Sequence, residues 1–304
     1  MKLLLRRLLV GVPTLLAVIT LTFFMMRAAP GGPFDSERKL APDVLLQLEQ
    51  KYGLDRPIGH QYLNYLGGVM QGDLGPSLRY KSKSVRDIIA DGLPVSATIG
   101  GFALLIATLA GILFGVYGGV RRRGITSTLV GAVSTLGICV PTFVVAPLLV
   151  LLFGSRLGWF PTGGINAGWR SYVLPSLVLA LPHLAFIARL TRVGMIEVMS
   201  SNYVRTARAR GLSEARIITR HALRGAILPV VSYLGPACAG LLAGSLVVEQ
   251  IFALPGLGRN FVLGALQRDY TVVMGVVIFY AVLIILFNLL ADMLQAALDP
   301  RVAR

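Results

Sequence analysis

Six long stretches of the chain carry no charged residue, and they constrain the fold more than any other feature of the sequence. A helix rises about 1.5 Å per residue, so about 18 to 20 apolar residues cross a hydrocarbon core roughly 30 Å thick. Every stretch is about that long or longer; they are residues 8–26, 92–120, 124–155, 171–188, 225–248 and 270–291. The sequence therefore predicts an all-α polytopic membrane protein with six transmembrane helices.

The composition supports this class. Of the 304 residues, 55% are hydrophobic and only 14% are charged, whereas a soluble domain has about 25% charged residues. The net charge of +15 could indicate a nucleic-acid partner, but neither zinc-type spacing nor an aromatic-interleaved basic surface accompanies it. We therefore expect contact with membrane lipid and no nucleic acid. Cys139 and Cys238 lie in apolar runs without a CxxC pattern, which predicts buried, unreactive thiols.

Basic residues predict the orientation, because short cytoplasmic loops of membrane proteins are enriched in lysine and arginine. In a six-helix arrangement most of them fall on one side, within residues 2–7, 121–123, 189–224 and 301–304. The short loops of the other side hold only Arg156, Arg170, Arg259 and Arg268. Both termini are therefore predicted to be cytoplasmic.

The same reasoning divides the chain into three parts. Residues 1–27 form an N-terminal segment with the first transmembrane helix, residues 28–91 an external loop or cap, and residues 92–304 a membrane-embedded core with five more helices and a cytoplasmic loop at about 189–224. Within the cap, residues 43–52 predict a helix stopped by Gly53, and residues 85–90 predict a second short helix. A cleavable signal peptide is the alternative for the first apolar run. The run is longer than the hydrophobic region of a signal peptide, which usually has about 7–15 residues, and this favours a transmembrane helix.

Small residues recur at helical spacing inside two of the predicted spans. One set lies in the second span and the other in the fifth: Gly111, Gly115, Gly119 and Gly240, Gly244. Spacing of four residues puts such glycines on one face, where helix backbones can approach closely. We expect this face to pack against another helix; the alternative is that it keeps a translocation path open.

Ionisable groups are scarce in the predicted spans, and His183 and Asp292 are the main candidates. We expect His183 to be a neutral, hydrogen-bonded packing residue and Asp292 to have an interfacial or helix-pairing role. An ion-coupled secondary transporter usually needs buried carboxylates or broken helices to bind its ion, and the predicted spans lack the obvious residues for this. An ion-coupled secondary transporter or a channel is therefore kept only as the alternative function. An intramembrane enzyme would need a Ser–Lys, metal or paired-aspartate constellation, and the spans show none.

The basic segment at residues 189–224 contains the most informative pattern. Ser201 or Asn202 can cap a helix at 203–210, Gly211 can provide a left-handed exit, and Ser213 with Glu214 favours the start of another helix. Residues at positions 203, 207 and 211 lie four apart, which predicts a small-residue stripe with a flanking aromatic ring, suited to docking into a partner's groove. A solvated loop that only sets topology is the alternative.

Order and spacing in this segment match a known pattern. Tyr-Val-Arg-Thr-Ala-Arg-Ala-Arg-Gly-Leu-Ser at 203–213, followed by His-Ala-Leu-Arg at 221–224 and Ile-Leu-Pro at 227–229, resembles the coupling loop of binding-protein-dependent ABC importer permeases of the dipeptide and oligopeptide branch. Arg205, Thr206 and Ala207 stand where the family has Glu-Ala-Ala, and Gly211 matches its glycine. Other segments in the same order extend the resemblance along nearly the whole chain, including 30–33, 52–57, 72–77, 158–161, 248–258 and 299–301.

The resemblance implies a type I importer fold in a bacterial or archaeal cell membrane. Two six-helix permeases, two cytoplasmic ATPases and an extracytoplasmic binding protein would form the complex and import dipeptides, oligopeptides or a related small solute. It also implies an ATPase-coupling site at Tyr203, Arg205, Thr206, Ala207, Arg208, Gly211, Leu212 and Ser213. Permeases of similar sequence serve nickel, glutathione and haem, so the transported ligand stays open.

The chain itself lacks the pattern for nucleotide binding. It has no GxxxxGK[ST] segment, and no lysine follows a glycine, so it cannot form the usual phosphate-binding loop. We therefore expect ATP and Mg²⁺ to be bound by the partner ATPases, and this chain to be a transport subunit with no catalytic residue, cofactor or metal of its own.

Overall fold

The computed structural model describes residues 2–29, 32, 34, 42–80, 82–120, 131–132, 134–135 and 137–298. Helices dominate these residues, and their only β-structure is an isolated antiparallel bridge between Pro76 and Ser84. The helices are α1 (Lys2–Ala28), α2 (Pro42–Lys51), α3 (Ile58–Met70), α4 (Val85–Val120), α5 (Thr142–Leu149), α6 (Arg170–Met199), α7 (Asn202–Ala209), α8 (Glu214–Arg216), α9 (Leu223–Ala226), α10 (Leu228–Ile251), α11 (Leu257–Leu266) and α12 (Tyr270–Leu298). The predicted all-α class is confirmed.

Four helices in the described residues are long and apolar enough to cross a membrane, within α1, α4, α6 and α12. A fifth candidate is a pair of segments, Glu214–Ala226 and Leu228–Leu242, bent by 50° at their junction.

The predicted span at 124–155 lies partly outside the described residues, and Pro141 precedes α5 in an extended conformation with ψ 140°. After α5 the chain continues as a π-helical segment, Val150–Arg156. The count of six spans therefore stays a prediction.

Two helices are longer than their sequence patterns predict. The expected short helix at 85–90 does not stop before Gly92, because α4 continues through Pro94 to Val120. Its first turns are held by packing, since Val85 is fully buried in an apolar cluster. Tertiary contact therefore overrides the tendency of Gly92 and Pro94 to end a helix.

Helix α6 likewise extends past the predicted end at residue 188 to Met199. Arg189 and Arg192 consequently lie on the helix rather than in a loop. The extension is stabilised because Thr191 and Met195 are fully buried, so the packed face of the helix continues beyond the uncharged run.

The chain divides into two compact units. The first unit comprises Met1–Ser96 with Pro255–Leu283, and the second comprises Ala97–Leu254 with Ile284–Arg304. Two of the three boundaries fall inside α4 and α12, so each of these helices contributes to both units. The predicted division at residues 27 and 91 concerns membrane sidedness, and it stays a prediction.

In the first unit a buried carboxylate organises the turn before α12. Asp269 is 1% exposed and stands at the position that precedes the helix, where it accepts the N–H of Val272 at 3.3 Å. It also accepts the hydroxyl of Ser77 at 2.5 Å and the N–H of Leu78 at 3.2 Å. Asp269 therefore caps a helix and holds the 77–79 loop at the same time.

In the second unit the glycine face of α4 packs on α6. A Cβ atom built on Gly111 would lie 2.8 Å from Ile187 Cγ2, and one on Gly119 would lie 2.5 Å from Met195 Cβ; Gly115 faces Thr191 in the same way. Such distances leave no room for a side chain. The packing interpretation of this glycine face is confirmed.

The predicted packing role of His183 agrees with its surroundings in the second unit. Its Nδ1 lies 2.9 Å from the Tyr233 hydroxyl, and a Cβ on Gly240 would lie 2.8 Å from its Cε1. The surroundings of Gly244 fall outside what the structure describes, and the role of Asp292 stays a prediction.

The two thiols differ in exposure. Cys238 is partly buried, but Cys139 is exposed, so the prediction of a buried thiol is wrong at Cys139. An apolar run in a membrane protein can face lipid or a partner instead of its own core, and this explains the difference.

Candidate coupling site

The elbow, defined as residues 200–214, follows the predicted order of elements. Helix α7 covers Asn202–Ala209, one residue earlier than predicted. Gly211 has a φ of +74°, which confirms the predicted left-handed exit. Ser213 precedes α8, which starts at Glu214 as expected.

Two backbone hydrogen bonds fix the direction in which the chain leaves α7. The N–H of Gly211 donates to the carbonyl of Arg208 at 2.9 Å, and the N–H of Leu212 donates to the carbonyl of Ala207 at 3.3 Å. This pair of bonds defines a Schellman motif, in which glycine supplies the left-handed residue without a Cβ penalty. Leu212 packs against the apolar cluster below the elbow.

The predicted side-chain cap of α7 is absent. Ser201 does occupy the capping position, but its hydroxyl donates backwards to the carbonyl of Val198 at 2.6 Å. Asn202 is already the first helical residue, so it cannot cap. Packing below α7 therefore contributes more to its placement than capping does.

The inner face of α7 is apolar and belongs to a buried cluster. Val204 is 0% exposed and Ala207 is 7% exposed. The other buried members come from α6 and from the chain after the elbow: Met195, Met199, Ile217, Ala222 and Ala226. Residues three apart share a helix face, so positions 204 and 207 point inwards together.

The burial of Ala207 corrects one part of the docking hypothesis. Tyr203 is 49% exposed, and the space around a Cβ on Gly211 is open. Ala207, however, lies in this chain's own core, so the predicted stripe of three residues does not form one outward surface. Val204, which the stripe did not include, provides the physical reason, because it draws that side of α7 into the cluster.

The outer face of the elbow is polar and mainly cationic. The exposed residues of the elbow are Ser200, Asn202, Tyr203, Arg205, Thr206, Arg208, Ala209, Arg210, Gly211, Ser213 and Glu214. Arg208 crosses the elbow to Glu214, with Nε to Oε1 at 2.7 Å and the second pair at 3.3 Å. The hydrogen bond from Arg208 to Glu214 raises the pKa of this arginine. The ion pair joins α7 to the start of α8 across the Gly211 turn, and the remaining arginines leave the outer face positively charged.

All eight predicted site residues thus lie together, but they differ in exposure. Six are exposed, Leu212 is half-buried, and Ala207 is buried. Among the residues that the structure describes, no group of three or more His, Cys, Asp or Glu side chains could hold a metal ion. The exposed outer face of the elbow suits contact with another protein.

Sequence reasoning missed two buried carboxylates. Asp269 anchors the turn before α12, and Glu249 is 0% exposed near the end of α10, one residue beyond the predicted span at 225–248. The available signal was an acidic residue directly beside an apolar run, which costs too much to bury without a defined environment.

Comparison with protein families supports a membrane transport component. The model of the family described as "Binding-protein-dependent transport system inner membrane component" matches residues 107–304. The model of its N-terminal region matches residues 1–100. The chain therefore belongs to this family of multi-pass membrane components of transport systems.

Individual relatives align over almost the full length. The chain is 46% identical to the oligopeptide transport system permease protein OppB of Haemophilus influenzae and 48% identical to OppB of Escherichia coli strain K12, each over 99% of both chains. It is 43% identical to the dipeptide transport system permease protein DppB of Bacillus subtilis, over 95% of this chain and 94% of the relative.

Proposed function

We propose that this chain is one of two membrane-spanning subunits of an ATP-driven importer and forms part of the path for dipeptides or oligopeptides. The observation that carries the proposal is the 46–48% identity to oligopeptide permeases over 99% of the chain. A second homologous permease, two cytoplasmic ATPases that bind ATP and Mg²⁺, and an extracytoplasmic binding protein would complete the complex. Its location would be the inner or plasma membrane of a bacterium or archaeon.

The proposed topology has six spans in a type I importer fold, cytoplasmic termini and an external region at 28–91. Support comes from the four long helices, the bent pair and the uneven distribution of arginines. Single cysteines at Ser82 and Ser213, labelled in intact cells with an impermeant reagent, test it. We expect labelling at Ser82 and protection at Ser213; the reverse pattern would reject the topology.

The elbow is the proposed contact with the ATPases. The Schellman motif at Gly211 fixes the direction in which the chain leaves α7, and the buried cluster holds the inner face of α7. Movement of a partner bound to the outer face would therefore be transmitted to α6 and to the chain after the elbow. In this proposal Tyr203, Arg205 and Arg208 contact the partner. Ala207 and Leu212 pack against the buried cluster and transmit the partner's movement to it. Closure of the ATPases would then bias the spans between inward-facing and outward-facing states.

Charge reversal separates docking from folding at this site. Arg205→Glu changes an exposed residue of the outer face. The matched control is Arg86→Glu, because Arg86 is an exposed arginine of α4 that lies far from the elbow in sequence. We expect Arg205→Glu to reduce substrate-stimulated ATP hydrolysis about tenfold, the effect of losing an interface contact of roughly 1–2 kcal/mol, with normal insertion. Equal ATP hydrolysis in both variants would mean that the elbow only sets topology.

Uptake by the reconstituted complex tests the transport function itself. Vesicles that contain both permeases, the ATPases and the binding protein should accumulate a labelled tripeptide only when ATP is supplied. If uptake instead persists without ATP while an ion gradient is maintained, the chain acts as an ion-coupled secondary transporter and the proposed function is wrong.

A further inference from the structure

The first compact unit contains a cavity of about 400 Å³ that the coupling mechanism does not use. It is bounded by the end of α1, the end of α2, α3, the segment at 74–78 and the first turn of α12. This size falls within the usual range for small-ligand sites, roughly 300–1,000 Å³.

Positive charge is concentrated in the wall of this cavity. Arg27, Lys51 and Arg56 all line it, and no aspartate or glutamate is among the described residues that do. Two of the cations lie beside aromatic rings of the same wall: Arg27 Cζ is 5.5 Å from the centre of the Phe23 ring, and Lys51 Nζ is 5.6 Å from that of Tyr52. A cation held beside a ring is positioned without being neutralised, so it can still bind an anion.

The amide of Gln61 adds a hydrogen-bond acceptor. Its Nε2 donates to the carbonyls of Leu54 at 3.0 Å and Arg56 at 2.7 Å, so both N–H groups are used. Its Oε1 is buried and has no hydrogen-bond partner among the described residues. Since two carbonyl acceptors fix which end of the amide carries the nitrogen, the orphaned atom is the oxygen.

Tyr65 provides a second orphaned polar atom in the same wall. Its hydroxyl is buried without a partner in the described residues, and burial raises the pKa of the phenol. A buried hydroxyl without a hydrogen bond is unfavourable, so a ligand group that satisfies it binds more tightly.

A helix end of defined geometry holds the cations in place. Gly53 has a φ of +63°, and the N–H groups of Gly53 and Leu54 donate to the carbonyls of Gln50 at 3.1 Å and Glu49 at 2.8 Å. This Schellman motif terminates α2 and places Lys51 and Arg56 on either side of a fixed turn. The site is therefore preformed in the backbone.

We propose that this cavity binds the C-terminal end of a peptide, with its carboxylate on the basic side chains and a backbone N–H on the Gln61 oxygen. The inference rests on the proposed transport function and adds a subsite to it. Leu74, Leu78 and Met274 provide the apolar wall for the side chain of the bound residue. Phosphatidylglycerol would satisfy the positive charge, and its glycerol hydroxyls could donate to Gln61, but a cavity of about 400 Å³ is too small for its two acyl chains, so the volume favours a peptide terminus.

Photo-crosslinking to the purified complex tests the site. The probe is a tripeptide with a benzophenone side chain and a free carboxylate, applied to the complex in phosphatidylcholine nanodiscs, with the labelled positions mapped by mass spectrometry. We expect labels within residues 50–78, with unlabelled trialanine displacing the probe at least tenfold better than trialanine amide. Equal displacement by the amide, or labels only elsewhere in this chain, would overturn the proposal.

Paired variants separate ligand binding from damage to the fold. Arg56→Gln and Tyr65→Phe should lower probe capture about tenfold and a few-fold, respectively, because a charge-assisted hydrogen bond is worth more than a neutral one. The controls Arg86→Gln and Tyr80→Phe change exposed residues outside the cavity and should stay within twofold of the wild type. Tyr65→Phe should not lower thermal stability, since it removes an orphaned hydroxyl. Unchanged capture in Arg56→Gln would reject the site.

Two further measurements separate the possible failures. If added phosphatidylglycerol displaces the probe and trialanine does not, the cavity is a lipid site and the peptide proposal is wrong. ATP-driven uptake of trialanine is measured in vesicles with the same wild-type complex: uptake without labelling of the cavity rejects only this subsite, whereas labelling without uptake rejects the transport function.

Discussion

Helices α7 and α11 end with the same hydrogen-bond pattern but with different residues at the left-handed position. At the elbow, Gly211 has a φ of +74°. After α11, Arg268 has a φ of +59°, and the N–H groups of Arg268 and Asp269 donate to the carbonyls of Ala265 and Gly264 at 3.3 and 2.8 Å. The second end thus forms a Schellman motif with a residue that strongly disfavours it, at about 1–2 kcal/mol.

The difference lies in what surrounds each turn. Gly211 has open space around it, so the left-handed conformation at this position depends on local backbone preference and not on packing around the glycine. Arg268 is followed by buried Asp269, whose carboxylate accepts hydrogen bonds from the 77–79 loop and from α12. Tertiary hydrogen bonds therefore offset the backbone strain at one turn, and glycine avoids it at the other.

The apolar cluster is the largest single support of the elbow, and removing one of its large, fully buried side chains should have the largest effect. Ile217 is 0% exposed, whereas neighbouring Ile218 only packs against the edge of the cluster. We expect Ile217→Ala to destabilise the chain by about 3–4 kcal/mol and Ile218→Ala by about half as much. Thermal unfolding of the detergent-solubilised complex, followed by size-exclusion chromatography, measures both; equal shifts would mean that the elbow is not built on this cluster.

Removing the polar anchor of the other turn should come next. Asp269→Ala leaves the Ser77 hydroxyl and the Leu78 N–H buried without their acceptor, at a cost of about 2–3 kcal/mol. Asp73 is the matched control, because it is an exposed aspartate of the same unit whose carboxylate accepts, among the described residues, the N–H of Gly75 alone. Asp73→Ala should cost less than about 1 kcal/mol. Similar melting temperatures for the two variants would contradict the anchor.

These two turns also show how far the sequence leads. The Gly211 exit and the helix before it were predictable because glycine and spacing are local signals. The Arg268 turn was not, since nothing in its sequence favours a left-handed arginine, and its support comes from Ser77, about 190 residues earlier. The inward turn of Ala207 was missed for a similar reason: small side chains suit a docking surface and a tight core equally well, and only the packing of Val204 decides between them.

Substitution of the glycine should have a smaller but specific effect. Gly211→Val places a branched side chain at a φ of +74°, which costs about 1–2 kcal/mol and changes the direction of α7. Gly59→Val, at an exposed α3 position with open space and an ordinary φ, is the control. We expect Gly211→Val to insert normally but to lose stimulated ATP hydrolysis. Wild-type coupling in this variant would mean that the elbow geometry is not used.

The smallest expected effect has the opposite sign and tests the comparison most directly. If Arg268 is strained and Asp269 offsets the strain, Arg268→Gly should stabilise the first unit by at most about 1 kcal/mol, because glycine adopts a left-handed conformation without a Cβ penalty. The gain is partly lost, since Arg268 Nη1 also donates to the carbonyl of Gly32 at 3.4 Å and glycine has more freedom in the unfolded chain. Arg268→Ala removes the same side-chain contact but keeps the Cβ, so the difference between these two variants isolates the backbone strain. In the background of Asp269→Ala the difference should shrink, because a turn without its anchor can relax to an ordinary φ. A melting temperature for Arg268→Gly at or below that of Arg268→Ala would show that the turn carries no strain.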